Sequence, residues 1–141
     1  MAGTLPTKGE TVTYHFSVTV QGEFEDVVAR TRAALAEEGF GIVSEIDMAA
    51  TLKEKLGHEM KPYLILGACN PPFALKAVMS DPGIGTLLPC NVVVRSNGEG
   101  VVVDFMDPEA VLDLVKAPGV REVADDVRTR MEQVRDSIAC G

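Results

Sequence analysis

The chain has 141 residues, of which 46% are hydrophobic and 24% are charged, and its formal net charge is −8. This composition predicts a folded globular domain with one core, and a disordered chain is not expected. Because 13 basic residues stand against 21 acidic ones and form no basic run, we expect neither nucleic acid nor a membrane surface as a partner.

Apolar spacing predicts a tail at residues 1–10 followed by one α+β domain at residues 11–141. In chain order, strands are expected at residues 11–20, 40–46, 63–69, 87–95 and 100–106, and helices at residues 23–38, 48–56, 71–79, 108–116 and 120–139. This order predicts a two-layer sandwich, with a mixed five-stranded sheet and helices packed mainly on one face.

Residues with capping preferences mark the ends of these helices. Gly39 suits a left-handed cap at the end of the first helix, and Asp47 is placed to cap the second. Asn70 occupies the N-cap position of the third helix, directly before Pro71, and Asp107 repeats this arrangement before the fourth.

The last two strands are joined by the clearest turn signal in the chain, Asn97-Gly98. A two-residue turn there places Cys90 on the apolar face of the hairpin and puts Asn91 opposite Asp104 on the other face. The Asn91–Asp104 pair is interpreted either as a small polar site or as a solvated patch.

The final helix carries an apolar seam with steps of four and three residues: Val120, Ala124, Val127, Met131, Val134 and Ile138. The seam is expected to pack on the domain's own sheet or to form a helix-to-helix dimer contact. Asp126 with Arg130, and Arg128 with Glu132, have the spacing of ion pairs on the helix surface.

Three cysteines without a CxxC spacing predict free thiols in a reducing compartment. Cys69 precedes a helix N-terminus, where the helix dipole favours a thiolate; it is interpreted as a reactive thiol or as a small buried hydrophobe. Cys90 is expected in the core. Two converging thiols would suit a soft metal or a redox couple, although zinc needs more ligands. Cys140 lies in the last turn and has no expected role.

The chain lacks sequence motifs of catalysis and membrane insertion. His58, beside Glu59, is either a general base or a solvated loop residue, and no hydrolase, metalloprotease or complete dinucleotide motif accompanies it. No apolar run approaches the roughly 20 residues of a membrane span, and no secretory signal opens the sequence. We therefore expect a cytoplasmic protein.

Several segments together resemble one known family, the domain of unknown function 302. They are GFGIVSEID at residues 39–47, TLKEKLG at 51–57, YLILGACNPP at 63–72, IGTLLPCNVVV at 84–94 and GVVVDFMDPEAVL at 100–112. The resemblance covers residues 11–138 and implies a compact α+β fold, often a homodimer, in bacterial and archaeal proteins. Both Cys-Asn dipeptides match the family pattern, but the resemblance implies no activity and no cofactor.

The first functional hypothesis is a non-catalytic, homodimeric module that binds a small molecule or a protein partner. Its candidate ligand-binding residues are Cys69, Asn70, Cys90, Asn91 and Asp104. The alternative is a thiol-dependent protein that carries a soft metal or sulfur species on Cys69, with Cys90 as its partner. A third hypothesis is a small-molecule enzyme that uses Asn91, Asp104, Glu45 and His58, although nothing orders these groups into roles.

Overall fold

The computed structural model describes residues 13–140. The strands are β1 (His15–Val20), β2 (Gly41–Asp47), β3 (Tyr63–Cys69), β4 (Cys90–Ser96) and β5 (Val101–Met106). The α-helices are α1 (Phe24–Glu37), α2 (Met48–Leu56), α3 (Pro71–Ser80), α4 (Pro108–Val111) and α5 (Val120–Cys140). Two 3₁₀ segments, Pro82–Leu87 and Leu112–Leu114, complete the described elements. The predicted element order and the α+β sandwich are confirmed.

The sheet has the strand order β1-β5-β4-β3-β2, and every neighbouring pair is antiparallel. The expectation of a mixed sheet is therefore wrong. Helices α2 and α3 each connect two strands that are antiparallel neighbours, so they extend hairpin connections and do not cross between parallel strands.

Helices α1 and α5 cover one face of the sheet, and α3 and α4 pack against α5. The strand residues of the covered face form the sheet side of the core, with Leu66, Val92, Val94, Val103 and Phe105 all completely buried. The intervening residues form the opposite face, hereafter the open face, which includes Ser17, Ile46, Ile65, Val93, Arg95 and Asp104.

Helix α5 packs its apolar seam on the domain's own core. Every residue of the predicted seam is buried, with exposed fractions from 0% at Val120 to 5% at Val127. The first interpretation of the seam is thus confirmed, and the seam is not accessible as a dimer surface. Among residues 13–140, no helix has the length and apolarity required to cross a membrane.

The β4–β5 hairpin has a different register from the predicted one. The Asn97 backbone N–H donates to Gly100 O at 3.2 Å, and Asn97 Oδ1 accepts from the N–H groups of Glu99 and Gly100, both at 2.9 Å. These bonds move the turn one residue along the chain, so that Val93 lies opposite Asp104. The predicted Asn91–Asp104 pair is therefore wrong. Both residues nevertheless lie on the face of the sheet opposite Cys90, as predicted.

One glycine and two aspartates mark helix ends as predicted. Gly39 adopts φ +89°, and the N–H of Phe40 donates to Leu35 O at 2.9 Å, which is the left-handed ending predicted for α1. Asp47 Oδ1 accepts from Ala50 N–H at 2.9 Å, and Asp107 Oδ1 accepts from Glu109 N–H at 2.9 Å. Both aspartate caps are confirmed.

Candidate functional site

A largely apolar cavity of about 270 Å³ lies where β3 ends and β4 begins. Its walls come from those strand ends, from α3 and from the buried side of α5. The lining residues are Phe40, Val43, Ala68, Cys69, Asn70, Phe73, Ala74, Ala77, Leu88, Pro89, Cys90, Pro108, Leu112, Val123 and Val127. Three of the five predicted ligand-binding residues, Cys69, Asn70 and Cys90, are thus brought together at one cavity.

The antiparallel pairing of β3 and β4 places Cys69 near Cys90. Ala68 lies opposite Cys90, so Cys69 is the next residue along the neighbouring strand. Cys90 is 7% exposed, and its burial, together with the nearby Cys69, raises the pKa of the Cys90 thiol to about 12. Cys90 is therefore a protonated thiol at neutral pH, whereas Cys69 is only half-buried.

Asn70 begins α3 but does not cap it with its side chain. Pro71 and Pro72 fill the first two helical positions and carry no N–H group, which removes a donor that an N-cap side chain normally binds. Asn70 Nδ2 instead donates to Glu38 O at 3.2 Å, at the end of α1. Asn70 thus occupies the predicted N-cap position, but its side chain does not cap the helix and instead joins the β3–α3 junction to α1.

Helix α3 covers the cavity with few core contacts of its own. Phe73, Ala74 and Ala77 line the cavity, and Ala77 is the one fully buried residue of this helix. On the outer side, Leu75 and Met79 are 64% and 76% exposed. The small alanine side chains leave the space that forms the cavity.

Gly67 permits the close approach of Pro89, which forms part of the cavity wall. A Cβ atom at residue 67 would lie 2.7 Å from Pro89 Cγ and would collide with Ser44 Oγ. Real Cβ atoms do not tolerate such distances, so only glycine fits between these side chains without displacing them.

The other two predicted ligand-binding residues, Asn91 and Asp104, lie on the open face and not in the cavity lining. Asp104 accepts a hydrogen bond from Arg95 Nε at 2.6 Å and another from Ser17 Oγ at 2.5 Å. His15 Nδ1 lies 3.7 Å from Asp104 Oδ1. Burial alone would raise the pKa of Asp104, but these hydrogen bonds and positive charges outweigh it and hold that pKa below its usual value.

The remaining candidate groups do not converge with the cavity. Glu45 forms an ion pair with Arg32 in a groove between α1 and α2, and His58 is exposed in the loop after α2. Cys140 is exposed at the end of α5. Within the part of the chain that the structure describes, no group of three or more His, Cys, Asp or Glu side chains is arranged to hold a metal. Cys69 and Cys90 alone fall short of a four-coordinate zinc site.

Sequence reasoning missed the apolar residues of the cavity wall, of which Phe73 and Val127 are examples. Val127 belongs to the seam of α5, and its spacing indicated burial without indicating that a cavity lies beside it. Phe73 follows two prolines that fix the start of α3, so its position near Cys69 was implicit in the sequence. The void itself depends on long-range packing that no local pattern specifies.

Comparisons with known proteins agree with this architecture. The family model for DUF302, a domain of unknown function, matches residues 16–138. The chain is similar to an uncharacterized conserved DUF302 protein from Bacillus stearothermophilus, whose crystal structure gives a TM-score of 0.83 at 26% sequence identity. That similarity covers 90% of this chain and 99% of the other. Curated proteins give no match. The chain belongs to the DUF302 family.

Proposed function

We propose that this protein is a homodimeric binding module that holds a small, mainly apolar ligand in the cavity between β3, β4, α3 and α5. The observation that carries the proposal is the meeting of Cys69, Asn70 and Cys90 in one lining. Mainly apolar walls with a few polar groups are typical of small-molecule sites. Asn70 and the half-buried Cys69 thiol supply those groups.

The size of the cavity limits the ligand. An engineered apolar cavity of about 150 Å³ accommodates benzene, and the cavity here is about 270 Å³. The ligand is therefore an alkyl or aromatic group somewhat larger than benzene. Its binding free energy comes from apolar surface removed from water, at roughly 25 cal/mol per Å².

The thiol-based alternative would require a soft metal or sulfur species on Cys69. A metal bridging both thiols would have to displace the proton of Cys90, whose raised pKa of about 12 opposes that step. Binding by packing requires no such ionisation, and the predominantly apolar lining favours it.

Titration with 1-hexanol tests the ligand site. Saturable amide chemical-shift changes at Cys69, Ala74 and Val127 are expected in NMR spectra of the labelled protein. Ala74→Leu extends a side chain from the cavity wall and should abolish these changes, whereas Ala33→Leu on the exposed side of α1 should leave them intact. The proposal fails if no shift saturates or if both variants behave alike.

For the homodimer, the open face is the proposed contact surface. It carries apolar residues where a solvated sheet face usually has polar ones, including Ile65, Val93 and Ile46, the last 45% exposed. Its Arg95–Asp104 ion pair is electrically balanced, although the whole chain has a net charge of −8. Two copies therefore repel each other less through this face than through the acidic remainder.

The estimated area of this face reaches the lower limit for a stable contact. Five strands spaced about 4.8 Å apart, each about six residues long at about 3.4 Å per residue, present about 500 Å² per copy. Two copies would bury about 1,000 Å², the smallest area expected of a specific interface. The dimer should accordingly dissociate on dilution.

Sedimentation velocity at micromolar concentration tests the dimer and its surface. The unmodified protein should sediment as a dimer, and Ile46→Glu should convert it to a monomer. Leu75→Glu places the same charge on exposed apolar surface of α3 and should leave the dimer intact. A strictly monomeric unmodified protein contradicts the dimer, and dissociation by Leu75→Glu alone assigns the contact to α3.

A further inference from the structure

A polar groove of about 380 Å³ adjoins the apolar cavity on the outer side of Phe73. Its lining consists of Glu38, Phe73, Asp126, Thr129, Arg130 and Gln133. Phe73 belongs to the linings of both spaces, so its ring forms the partition between an apolar compartment and a polar one. A ligand that passes this ring would contact both.

Arg130, the one cation of this groove lining, is already engaged by groups of the protein. Its Nη1 donates to Glu38 O at 3.2 Å and lies 3.8 Å from Glu38 Oε1. Its guanidinium carbon lies 5.3 Å from the centroid of the Phe73 ring. The guanidinium of Arg130 is therefore directed at Glu38 and at the Phe73 ring.

Asp126 also lines this groove, and it forms no ion pair with any residue that the structure describes. The sequence spacing predicted a pair with Arg130, one helical turn away, but Arg130 turns toward Glu38 instead. The groove lining thus contains two carboxylates and one guanidinium, which leaves it with an excess negative charge.

We propose that the ligand is an amphiphilic amine, with its apolar body in the cavity and its protonated amino group in the groove beside Asp126. This proposal rests on the cavity being the ligand site. Arg130 already lies over the Phe73 ring, so the attraction for the ammonium group comes from the carboxylate of Asp126. A carboxylate head would instead be repelled by the net negative charge of a lining that holds two carboxylates and one guanidinium.

The compounds 1-hexylamine, 1-hexanol and hexanoate carry different head groups on the same kind of alkyl chain. Their affinities therefore show which head group the groove prefers. At neutral pH and low salt, hexylamine should bind about two- to fivefold more tightly than hexanol, which is the effect of one exposed charge pair. Hexanoate should bind more weakly than hexanol. The advantage of the amine should decrease as salt rises, because the groove is open to screening ions.

The variant Asp126→Asn should reduce the hexylamine-to-hexanol affinity ratio toward one. Asp136→Asn removes the same charge from α5 outside the groove and should leave the ratio unchanged. Because the readout is a ratio measured on one protein, a general loss of stability does not imitate the result.

The possible failures are distinguishable. If hexanol binds saturably but the amine has no advantage, or if hexanoate binds most tightly, the amine proposal is overturned and the apolar cavity site stands. If none of the three compounds binds, both the amine proposal and the proposed ligand site fail. An amine advantage that survives Asp126→Asn also overturns the assignment of the head to this groove.

Discussion

The two Cys-Asn segments lie at the same end of the sheet, yet only one of them directs both residues to the cavity. Cys69-Asn70 spans the end of β3, and both residues line the cavity because the chain leaves the sheet after Cys69. Cys90-Asn91 begins β4, where side chains alternate between faces, so Cys90 is buried and Asn91 is exposed on the open face. The same Cys-Asn dipeptide thus has different surroundings in the two segments.

The alkylation rates of Cys69 and Cys90 should differ by a larger factor than any other pair of quantities that we predict. A pKa of about 12 at Cys90 lies three units above an ordinary value of 9.0, so its thiolate should be about a thousandfold scarcer than that of an unperturbed thiol at pH 8. Cys69 is more exposed and should react first. Iodoacetamide labelling followed by peptide mass spectrometry measures both rates. Comparable rates in the folded protein would contradict the unequal environments.

The two faces of β3 should differ strongly in their contribution to stability. Leu66 is completely buried, so Leu66→Ala should lower the free energy of unfolding by about 2–5 kcal/mol. Ile65 points to the open face and is half-buried, so Ile65→Ala should cost about 1 kcal/mol in the monomer. Urea denaturation of both variants at sub-micromolar concentration provides the comparison. Equal losses would show that the open face is covered in solution.

The close packing around Gly67 should make even one added methyl group unfavourable. Gly67→Ala introduces a Cβ that meets Ser44 Oγ and Pro89 Cγ, and overpacking of this kind typically costs about 1–3 kcal/mol. Ser44→Ala removes one of the two obstacles, so the double variant should recover part of the loss. A double-mutant cycle measured by urea denaturation tests this coupling. Additive effects would contradict the proximity of Ser44 to residue 67.

The sequence predicted the elements well because their signals are local. Gly39 and Asp47 act within one helical turn, and the spacing of the α5 seam requires only that one side of the helix be buried. The position of Cys69 was predictable for the same reason, because it ends a strand that is recognisable from its apolar run.

The features that escaped prediction depend on contacts between distant residues. The Asn97 side chain shifted the hairpin register by accepting two backbone hydrogen bonds, which a two-residue turn signal does not describe. Asn70 binds Glu38 O because α1 ends beside the β3–α3 junction. The antiparallel course of the whole sheet likewise depends on which strands become neighbours.

The ionic cluster of the open face should contribute the smallest of these effects, and only above acidic pH. Because the folded protein lowers the pKa of Asp104, its contribution to stability is present above the pKa of the unfolded chain, about 3.9, and is lost as pH falls through the folded value. Solvent screening limits that contribution to about 0.2–1 kcal/mol. Asp104→Asn should therefore destabilise the protein by this amount at pH 7, and the difference from the unmodified protein should decrease as the pH falls below about 3.9. Thermal unfolding over this pH range measures the difference, and a difference that does not change with pH would assign the effect to lost packing and not to charge.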